Sequence, residues 1–177
     1  MGKIYMEEVL NYKNPKIALL NIGEEENKGN ELSKATYPML KELPINFIGN
    51  LEGRDFLSGK ADIVVSDAFS GNVLLKGTEG AIELVLKKLK QEIKGSLMAK
   101  IGYLFMKKVF KNLKKQLNVE GQGGSILLGL KKTLIKVHGS SSHIAFEVAV
   151  EQAIQLKENK VIERLENEFS KLNLEES

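Results

Sequence analysis

The strongest constraint on this fold is a set of short apolar runs, each followed by glycine and polar residues. These runs occupy 16–21, 44–48, 62–66 and 133–138. Apolar runs without polar alternation are typical of strands buried on both faces of a parallel sheet. Longer amphipathic segments at 29–42, 72–94 and 142–171 predict helices. The sequence therefore predicts an α/β fold of three layers, in which helices cover both faces of a mostly parallel sheet.

Polar side chains and glycines gather where each predicted strand ends. In an open parallel sheet, ligands bind outside the carboxyl ends of the strands, so we expect these residues to converge on one edge. The candidate residues are Asn21 and Gly23 after the first strand, Gly49, Asn50 and Arg54 after the second, Asp67, Gly71, Asn72 and Lys76 after the third, and His138, Gly139 and Ser140 after the fourth.

The chemistry that these residues suggest is anion binding. Backbone N–H groups at a glycine-rich helix start attract phosphate, and the segments 71–72 and 139–141 have that form. Lys76 would add a positive charge. Structural alternatives stay open, because 29–30, 71–72 and 140–142 are also typical of turns and helix caps, and 24–26 of a solvated acidic loop. His138 fits a structural or a functional role about equally.

Composition removes several other classes of function. The absence of cysteine excludes disulfides, thiolate metal sites and cysteine nucleophiles, and favours a cytoplasmic location. Tryptophan is absent and aromatics make up 6% of the chain, which disfavours base stacking on nucleic acid. No Walker A, dinucleotide-binding, nucleophile-elbow or zinc-protease motif occurs, which disfavours a conventional serine hydrolase or zinc enzyme, and we expect no metal site. No run approaches the roughly 18 apolar residues of a membrane span, and the first residues do not resemble a signal peptide.

A basic block interrupts an otherwise acidic chain. Residues 87–115 contain ten lysines and one glutamate, so they carry +9 and leave −6 for the rest of a chain whose net charge is +3. Within the block, 96–117 predicts an amphipathic helix with apolar residues at every fourth position. Its candidate membrane or partner residues are Ile101, Phe105, Lys107, Lys108, Val109, Phe110, Lys111 and Lys114. Pattern alone favours docking on the core or on a second subunit over contact with a membrane.

Four motifs, in order along the chain, resemble those of the bacterial acyl-ACP:phosphate acyltransferases of phospholipid synthesis. They are LLNIGEEE at 19–26 with KGNE at 28–31, NFIGN at 46–50 with EGRD at 52–55, DAFSGNVLLK at 67–76 with EG at 79–80, and HGSS at 138–141. The resemblance covers nearly the whole chain. It departs from the usual pattern at Ala68, Ser70 and Gln122.

The resemblance implies transfer of a fatty acyl group from acyl carrier protein to inorganic phosphate, with no organic cofactor. It also implies a fold related to phosphate acetyltransferases and isopropylmalate dehydrogenases, in a homodimer at the inner membrane surface. By hypothesis, Lys76, Asn72 and the amides of 139–140 bind phosphate or the oxyanion, and His138 or Asp67 orients phosphate or accepts its proton. Asn21, Asn50 and Arg54 would complete the pocket.

Length is the largest departure from the family. Its members are about twice as long, so 1–177 resembles the C-terminal portion of a single domain, with 87–118 as a basic helical tip inserted within it. The tip would then meet the membrane surface, and its lysines would also suit the acidic acyl carrier protein. Two alternatives stay open: a phosphate acetyltransferase that uses acetyl-CoA, and a truncated, non-catalytic protein that binds membrane or carrier.

Overall fold

The computed structural model describes residues 1–117, 123–137 and 143–171, and all of their side chains except those of 114–117 and 171. The helices are α1 (Gly2–Glu8), α2 (Glu31–Glu42), α3 (Ala68–Gly95), α4 (Leu97–Leu117), α5 (His143–Glu158) and α6 (Val161–Lys171). The strands are β1 (Ile17–Asn21), β2 (Phe47–Glu52), β3 (Ile63–Val65), β4 (Ser125–Ile126) and β5 (Ile135–Lys136). The chain divides into two compact units, one containing 1–67 and the described residues from 123 onward, the other containing α3 and α4. We call them the sheet unit and the helix-pair unit.

The sheet unit contains a three-stranded parallel sheet in the order β2-β1-β3. The central strand, β1, presents Ile17, Ala18 and Leu19, each no more than 4% exposed. Burial on both faces explains why this run has no polar alternation. The predicted α/β class with a mostly parallel sheet is confirmed.

Helix α2 packs against β1 and β2. Its N-cap is Asn30, whose Oδ1 accepts a hydrogen bond from the Ser33 backbone N–H at 2.9 Å, so the cap interpretation of this asparagine is correct. Tyr37 of α2 meets Phe47 of β2 edge to face, with ring centroids 5.1 Å apart. On the other outer strand, Ile63 approaches the α1 backbone at Gly2. The parallel sheet is thus flanked by helices.

A second core in the same unit gathers around Leu156, Val161 and Leu165, which are at most 4% exposed. Partly buried side chains from α1, from the β4–β5 region and from α6 pack against these three; they are Ile4, Tyr5, Val9, Ile126, Leu128, Ile135, Ile162 and Phe169. The two ends of the described chain therefore share one apolar cluster.

Two predicted strands were wrong in position or pairing. The second strand runs over Phe47–Glu52 instead of 44–48, so Gly49 and Asn50 lie inside it instead of following it. The fourth contributes only Ile135–Lys136, which pairs antiparallel with β4 in a separate two-stranded sheet. In the part of the chain that the structure describes, the carboxyl edge of the parallel sheet is therefore formed by three strands, not four.

Helix boundaries also differ from the predicted ones. The segment 142–171 forms two helices instead of one, because the chain turns at Lys160, whose φ is +51°. Helix α3 begins at Ala68, four residues before the predicted start.

The helix-pair unit consists of α3 packed against α4. Ser96 separates the two helices, and its Oγ accepts a hydrogen bond from the Ala99 N–H at 3.3 Å. The predicted helix at 96–117 is confirmed as α4.

Candidate active site

The loop that follows β1 is shaped by Asn21, which is 9% exposed. Its Nδ2 donates to the Lys28 carbonyl at 3.0 Å, and its Oδ1 accepts from the Ile22 N–H at 2.8 Å. Both ends of the side-chain amide are thereby used within residues 22–28. Asn21 holds the loop at the sheet edge.

Asn50 of β2 supports the same loop from the neighbouring strand. Its Nδ2 donates to the Glu25 carbonyl at 2.8 Å, which also fixes which end of the amide faces the loop. Its Oδ1 is buried and has no hydrogen-bond partner among the described residues. Since buried polar atoms are normally paired, this oxygen is the unusual feature of the edge.

Two of the predicted glycines occupy positions where another residue would be disfavoured, one by crowding and one by backbone conformation. Gly23 is buried, and a Cβ added there would come 2.8 Å from Glu25 Oε2 and 3.0 Å from Lys28 Cγ. Gly49 has a φ of +95°, a conformation that favours glycine. Gly23 therefore lies in close contact with two side chains of the 22–28 loop, whereas a Cβ at Gly49 would make only an ordinary contact with the Tyr37 hydroxyl, at 3.5 Å.

Two basic side chains, one just after β2 and one at the end of the following loop, form ion pairs with carboxylates. Arg54 Nε lies 2.8 Å from Glu52 Oε2, although the Arg54 side chain is 75% exposed. Lys60 lies 2.9 Å from Asp55 and 3.8 Å from Glu24. The hydrogen bond from Lys60 to Asp55 raises the pKa of Lys60. An incoming anion would have to replace a carboxylate at these cations.

Glu26 forms a third such contact, on the outer side of the loop. Lys41 Nζ donates to Glu26 Oε1 at 2.9 Å, and the Tyr37 hydroxyl donates to the same oxygen at 3.2 Å. The hydrogen bond from Lys41, followed by that from Tyr37, lowers the pKa of Glu26. Burial, followed by the hydrogen bond to Glu26, raises the pKa of Tyr37. Of the acidic loop at 24–26, all three side chains are exposed, which confirms the solvated interpretation.

Lys28 differs from the other cations of this edge. Its ammonium pairs with no carboxylate among the described residues, and its stem lies over Gly23. Lys28 is the cation at this edge whose charge is least compensated.

The candidates that follow β3 fall at and beyond the start of the helix-pair unit. Asp67 directly precedes α3, and Gly71 and Asn72 lie inside the first turns of α3 instead of capping it. In the interior of a helix, backbone N–H groups are already bonded, so these two residues offer no open amides of the predicted kind. Lys76 Nζ lies 2.8 Å from Glu79 Oε2 on the same helix, and its side chain is 59% exposed.

The segment with His138, Gly139 and Ser140 lies outside the described residues, as do the serines at 141–142. His143 begins α5 and is exposed, which confirms its interpretation as a surface residue.

The predicted membrane or partner residues share α4. Phe105 is 86% exposed, Val109 57% and Ile101 45%. Phe110 is half-buried, with its ring centroid 5.3 Å from that of Tyr103. The three lysines at 107, 108 and 111 are exposed, and Lys114 lies in the last turns of the helix, beyond the described side chains. Of the helices that the structure describes, none has the length and apolar character needed to cross a bilayer.

Sequence reasoning assigned none of four participants at the sheet edge to the site: Lys28, Lys60, Tyr37 and Lys41. The KGNE motif contains Lys28, so its position in the sequence was a usable signal. The others lie 11 to 15 residues beyond Glu26 or in a separate loop, and no local pattern connects them.

Two further features bear on what this edge can hold. Within the described residues, no three His, Asp or Glu side chains are grouped as a metal site would require. A cleft of about 410 Å³ lies elsewhere in the sheet unit, between α5, α6 and residues 131–133, and none of its lining residues belongs to the parallel sheet or its loops. The cleft is therefore separate from the candidate site.

Fold and site together define an α/β protein whose polar loops cluster at the carboxyl edge of a parallel sheet. A family model described as "Fatty acid synthesis protein" matches residues 1–164. The chain is 49% identical over 173 residues to a phosphate acyltransferase of Clostridium acetobutylicum, covering 98% of this chain and 52% of that protein. Phosphate acyltransferases of Clostridium perfringens strain SM101 and Campylobacter lari are 45% and 46% identical over 172 and 170 residues, covering 97% and 96% of this chain and 51% of each relative.

This chain belongs to that fatty acid synthesis protein family. It spans about half the length of the curated relatives it matches.

Proposed function

We propose that the chain acts in the transfer of a long-chain fatty acyl group from acyl carrier protein to inorganic phosphate, giving acyl phosphate for phospholipid synthesis. The observation that carries the proposal is identity of 45–49% to phosphate acyltransferases along nearly all of its length. A parallel sheet with fixed polar loops at its carboxyl edge is also a suitable place for an anionic substrate.

The reaction asks little covalent chemistry of the protein, because phosphate is the nucleophile. A phosphate oxygen attacks the thioester carbonyl, a C–O bond forms, the C–S bond breaks, and the carrier leaves as a thiol. The protein must hold the anion beside the thioester and stabilise the tetrahedral oxyanion. It therefore needs cations and N–H donors more than a nucleophile of its own.

We assign Lys76, the side chain of Asn72 and the backbone amides of 139–140 to phosphate or the oxyanion, and His138 or Asp67 to orienting phosphate or taking its proton. Asn21 and Asn50 act by fixing the loop at 22–28. Arg54 and Lys76 would exchange a carboxylate for phosphate, which is feasible because exposed ion pairs contribute only about 0–1 kcal/mol.

The test is an assay of the purified 177-residue chain with long-chain acyl carrier protein and phosphate, followed by detection of acyl phosphate. Acyl phosphate formation would support the proposal and exclude a non-catalytic protein. A parallel reaction with acetyl-CoA tests the phosphate acetyltransferase alternative. If the chain forms no acyl phosphate, alone or joined to the remainder of a relative, the proposal fails.

Substitution of Lys76 tests the assigned cation. Lys76→Ala should reduce turnover at least about tenfold, because loss of a charge-assisted contact to the reacting group costs more than about 1.4 kcal/mol. Lys157→Ala, on helix α5 and also exposed to solvent, is the control and should leave turnover unchanged. Equal activity of the two variants would remove Lys76 from the site.

We further propose that α4 rests on the inner face of the membrane, where the lipophilic product is delivered, and that the working protein is a homodimer. Supporting this, Leu97, Leu104 and Phe105 are 68–86% exposed beside exposed lysines. A basic residue near an anionic leaflet contributes about 1 kcal/mol. The same lysines suit the acidic acyl carrier protein, so carrier and membrane would compete for them.

Vesicle flotation with phosphatidylserine-containing liposomes tests the membrane contact. Changing lysines 107, 108, 111, 114 and 115 to glutamate should abolish flotation. The matched control changes lysines 131, 132, 136, 157 and 160, which alters the net charge equally but lies in the sheet unit. Equal flotation of both variants would contradict the assignment, and sedimentation equilibrium would test the dimer.

A further inference from the structure

Helix α5 has an unusual distribution of polar residues for a helix at a protein surface. Apart from Lys157 in the last turn, its exposed polar residues recur along one line, at 143, 147, 151, 155 and 158. At about 100° per residue these positions cover only about a third of the helix circumference. Most of the remaining surface is apolar.

Only part of that apolar surface is covered. Ala145, Ala149 and Leu156 are at most 5% exposed and form the buried side of α5. Beside them runs a second line at i, i+4 and i+8, in which Phe146 is 63% exposed, Val150 46% and Ile154 51%. We call these three exposed residues the α5 stripe.

A helix that is apolar over most of its circumference is typical of a protein interior, whereas a surface helix is apolar on one face. The α5 stripe is therefore built for burial and lacks its partner surface among the described residues. We propose that the α5 stripe is the packing surface for the part of the phosphate acyltransferase fold that this chain does not span. That part could be supplied on the same or on a separate polypeptide.

The occupant follows from the comparison of lengths. The matches cover 96–98% of this chain but only 51–52% of the relatives, so about half of each relative lies outside the match and is available to cover apolar surface that is open here. Pairing within one fold needs no minimum area for each helix. This inference concerns packing and does not depend on the acyl transfer chemistry.

Charge and area disfavour two other occupants. The charged residues of α5 are Glu147, Glu151, Glu158 and Lys157, so the helix is acidic and an anionic membrane would repel it. A second copy would bring these acids against their equals. Three side chains also form a surface well below the roughly 800 Å² per partner of a stable dimer.

The absence of cysteine from the chain makes the experiment direct. Val150→Cys places a thiol on the α5 stripe, and Glu151→Cys places the control thiol on the adjacent polar line. Rates of maleimide labelling are measured for each variant in the 177-residue chain and in a chimera. The chimera carries, ahead of residue 1, a cysteine-free copy of the part of the Clostridium acetobutylicum relative outside the match.

In the 177-residue chain both thiols should react at similar rates. In the chimera, the thiol of the Val150→Cys variant should react at least about tenfold more slowly, because it must wait for local opening, while that of the Glu151→Cys variant should be unchanged. The same two substitutions, made at the aligned positions of the full-length Clostridium acetobutylicum protein, give the answer even if the chimera does not fold.

Equal reactivity of the two thiols in the folded chimera or in the relative would overturn the proposal. Protection of the Val150→Cys thiol in the 177-residue chain that grows with protein concentration would overturn it in favour of a second copy. Protection that appears only when anionic vesicles are added would overturn it in favour of a membrane.

Discussion

Gly29 sits between the loop at 22–28 and α2, with a φ of +99°. A Cβ at this position would overlap the Ser33 hydroxyl and the Asn21 amide, so both conformation and space require glycine. Gly59 has a similar φ of +77° but open space around it, which makes it a matched control.

Gly59→Ala should lower the free energy of unfolding by about 1–2 kcal/mol, the cost of a left-handed conformation for an L-residue. Gly29→Ala should lower the free energy of unfolding by that amount and by about 1–3 kcal/mol more, because the groups that the added methyl overlaps must move. Urea titration measures both values. Equal losses would show that the turn relaxes freely around the added methyl group.

Glu26 provides a prediction for pH. Its pKa is lowered, chiefly by the hydrogen bond from Lys41, so the folded state favours the carboxylate. The resulting stabilisation is present above the ordinary pKa of a glutamate and is lost as the pH falls through the lowered pKa. Lys41→Gln should therefore flatten the fall in stability in this acid range, whereas Lys34→Gln on the same helix should not. Thermal unfolding at a series of pH values measures the difference, and identical profiles for the two variants would contradict it.

In the candidate site, sequence reasoning identified polar residues near the first two strands, but it did not predict the contacts that these residues make. Asn21 and Asn50 were recognisable because polar residues directly follow or interrupt apolar runs. That both bind the loop at 22–28 depends on β1 and β2 lying in register, with Leu19 opposite Asn50. Register between strands some 30 residues apart is set by tertiary packing, and no local pattern contains it.

At the scale of elements, Lys160 is the least expected feature, because it turns the chain between α5 and α6 at a φ of +51° without being glycine. Replacing it with glycine removes a steric cost, so Lys160→Gly should raise the free energy of unfolding by about 0.5–1 kcal/mol. Lys157→Gly, inside α5, should instead lower it by about 1 kcal/mol. Urea titration measures the free energy of unfolding of both variants. If both are destabilised, the Lys160 side chain contributes more stability than the strain of its backbone costs.

The elements also show where local patterns succeed. Strand β1 was predicted to within one residue. The apolar run that begins after Lys16 and stops before Gly23 is short enough to contain only one strand. The start of β2 was misplaced because Pro44 ends α2 without beginning the strand. The pairing of β5 with β4 was missed, since an apolar run does not specify its neighbour.

At the scale of the whole molecule, polar contacts join α1 to α6 and to the turn before α6, although most of the chain separates them in sequence. Arg164 pairs with the Glu8 carboxylate, and Asn159 Nδ2 donates to the Glu8 carbonyl at 2.8 Å, across 151 residues of sequence. Contacts between such distant residues cannot be inferred from periodicity. They explain why the second core includes side chains from α1, which the sequence pattern did not assign to any layer.

The second core should therefore control the stability of the sheet unit. Leu156 is 1% exposed at its centre, and Leu156→Ala should lower the free energy of unfolding by about 2–5 kcal/mol. Ile154, two residues earlier on α5, is 51% exposed, so Ile154→Ala should cost less than about 1 kcal/mol in the 177-residue chain. Urea titration followed by circular dichroism measures both. The difference in unfolding free energy between the two variants should shrink once the α5 stripe is covered, because Ile154 then becomes a core residue. Large and equal losses of stability in the 177-residue chain itself would place Ile154 in the existing core. They would contradict the division of α5 into a buried side and an open stripe.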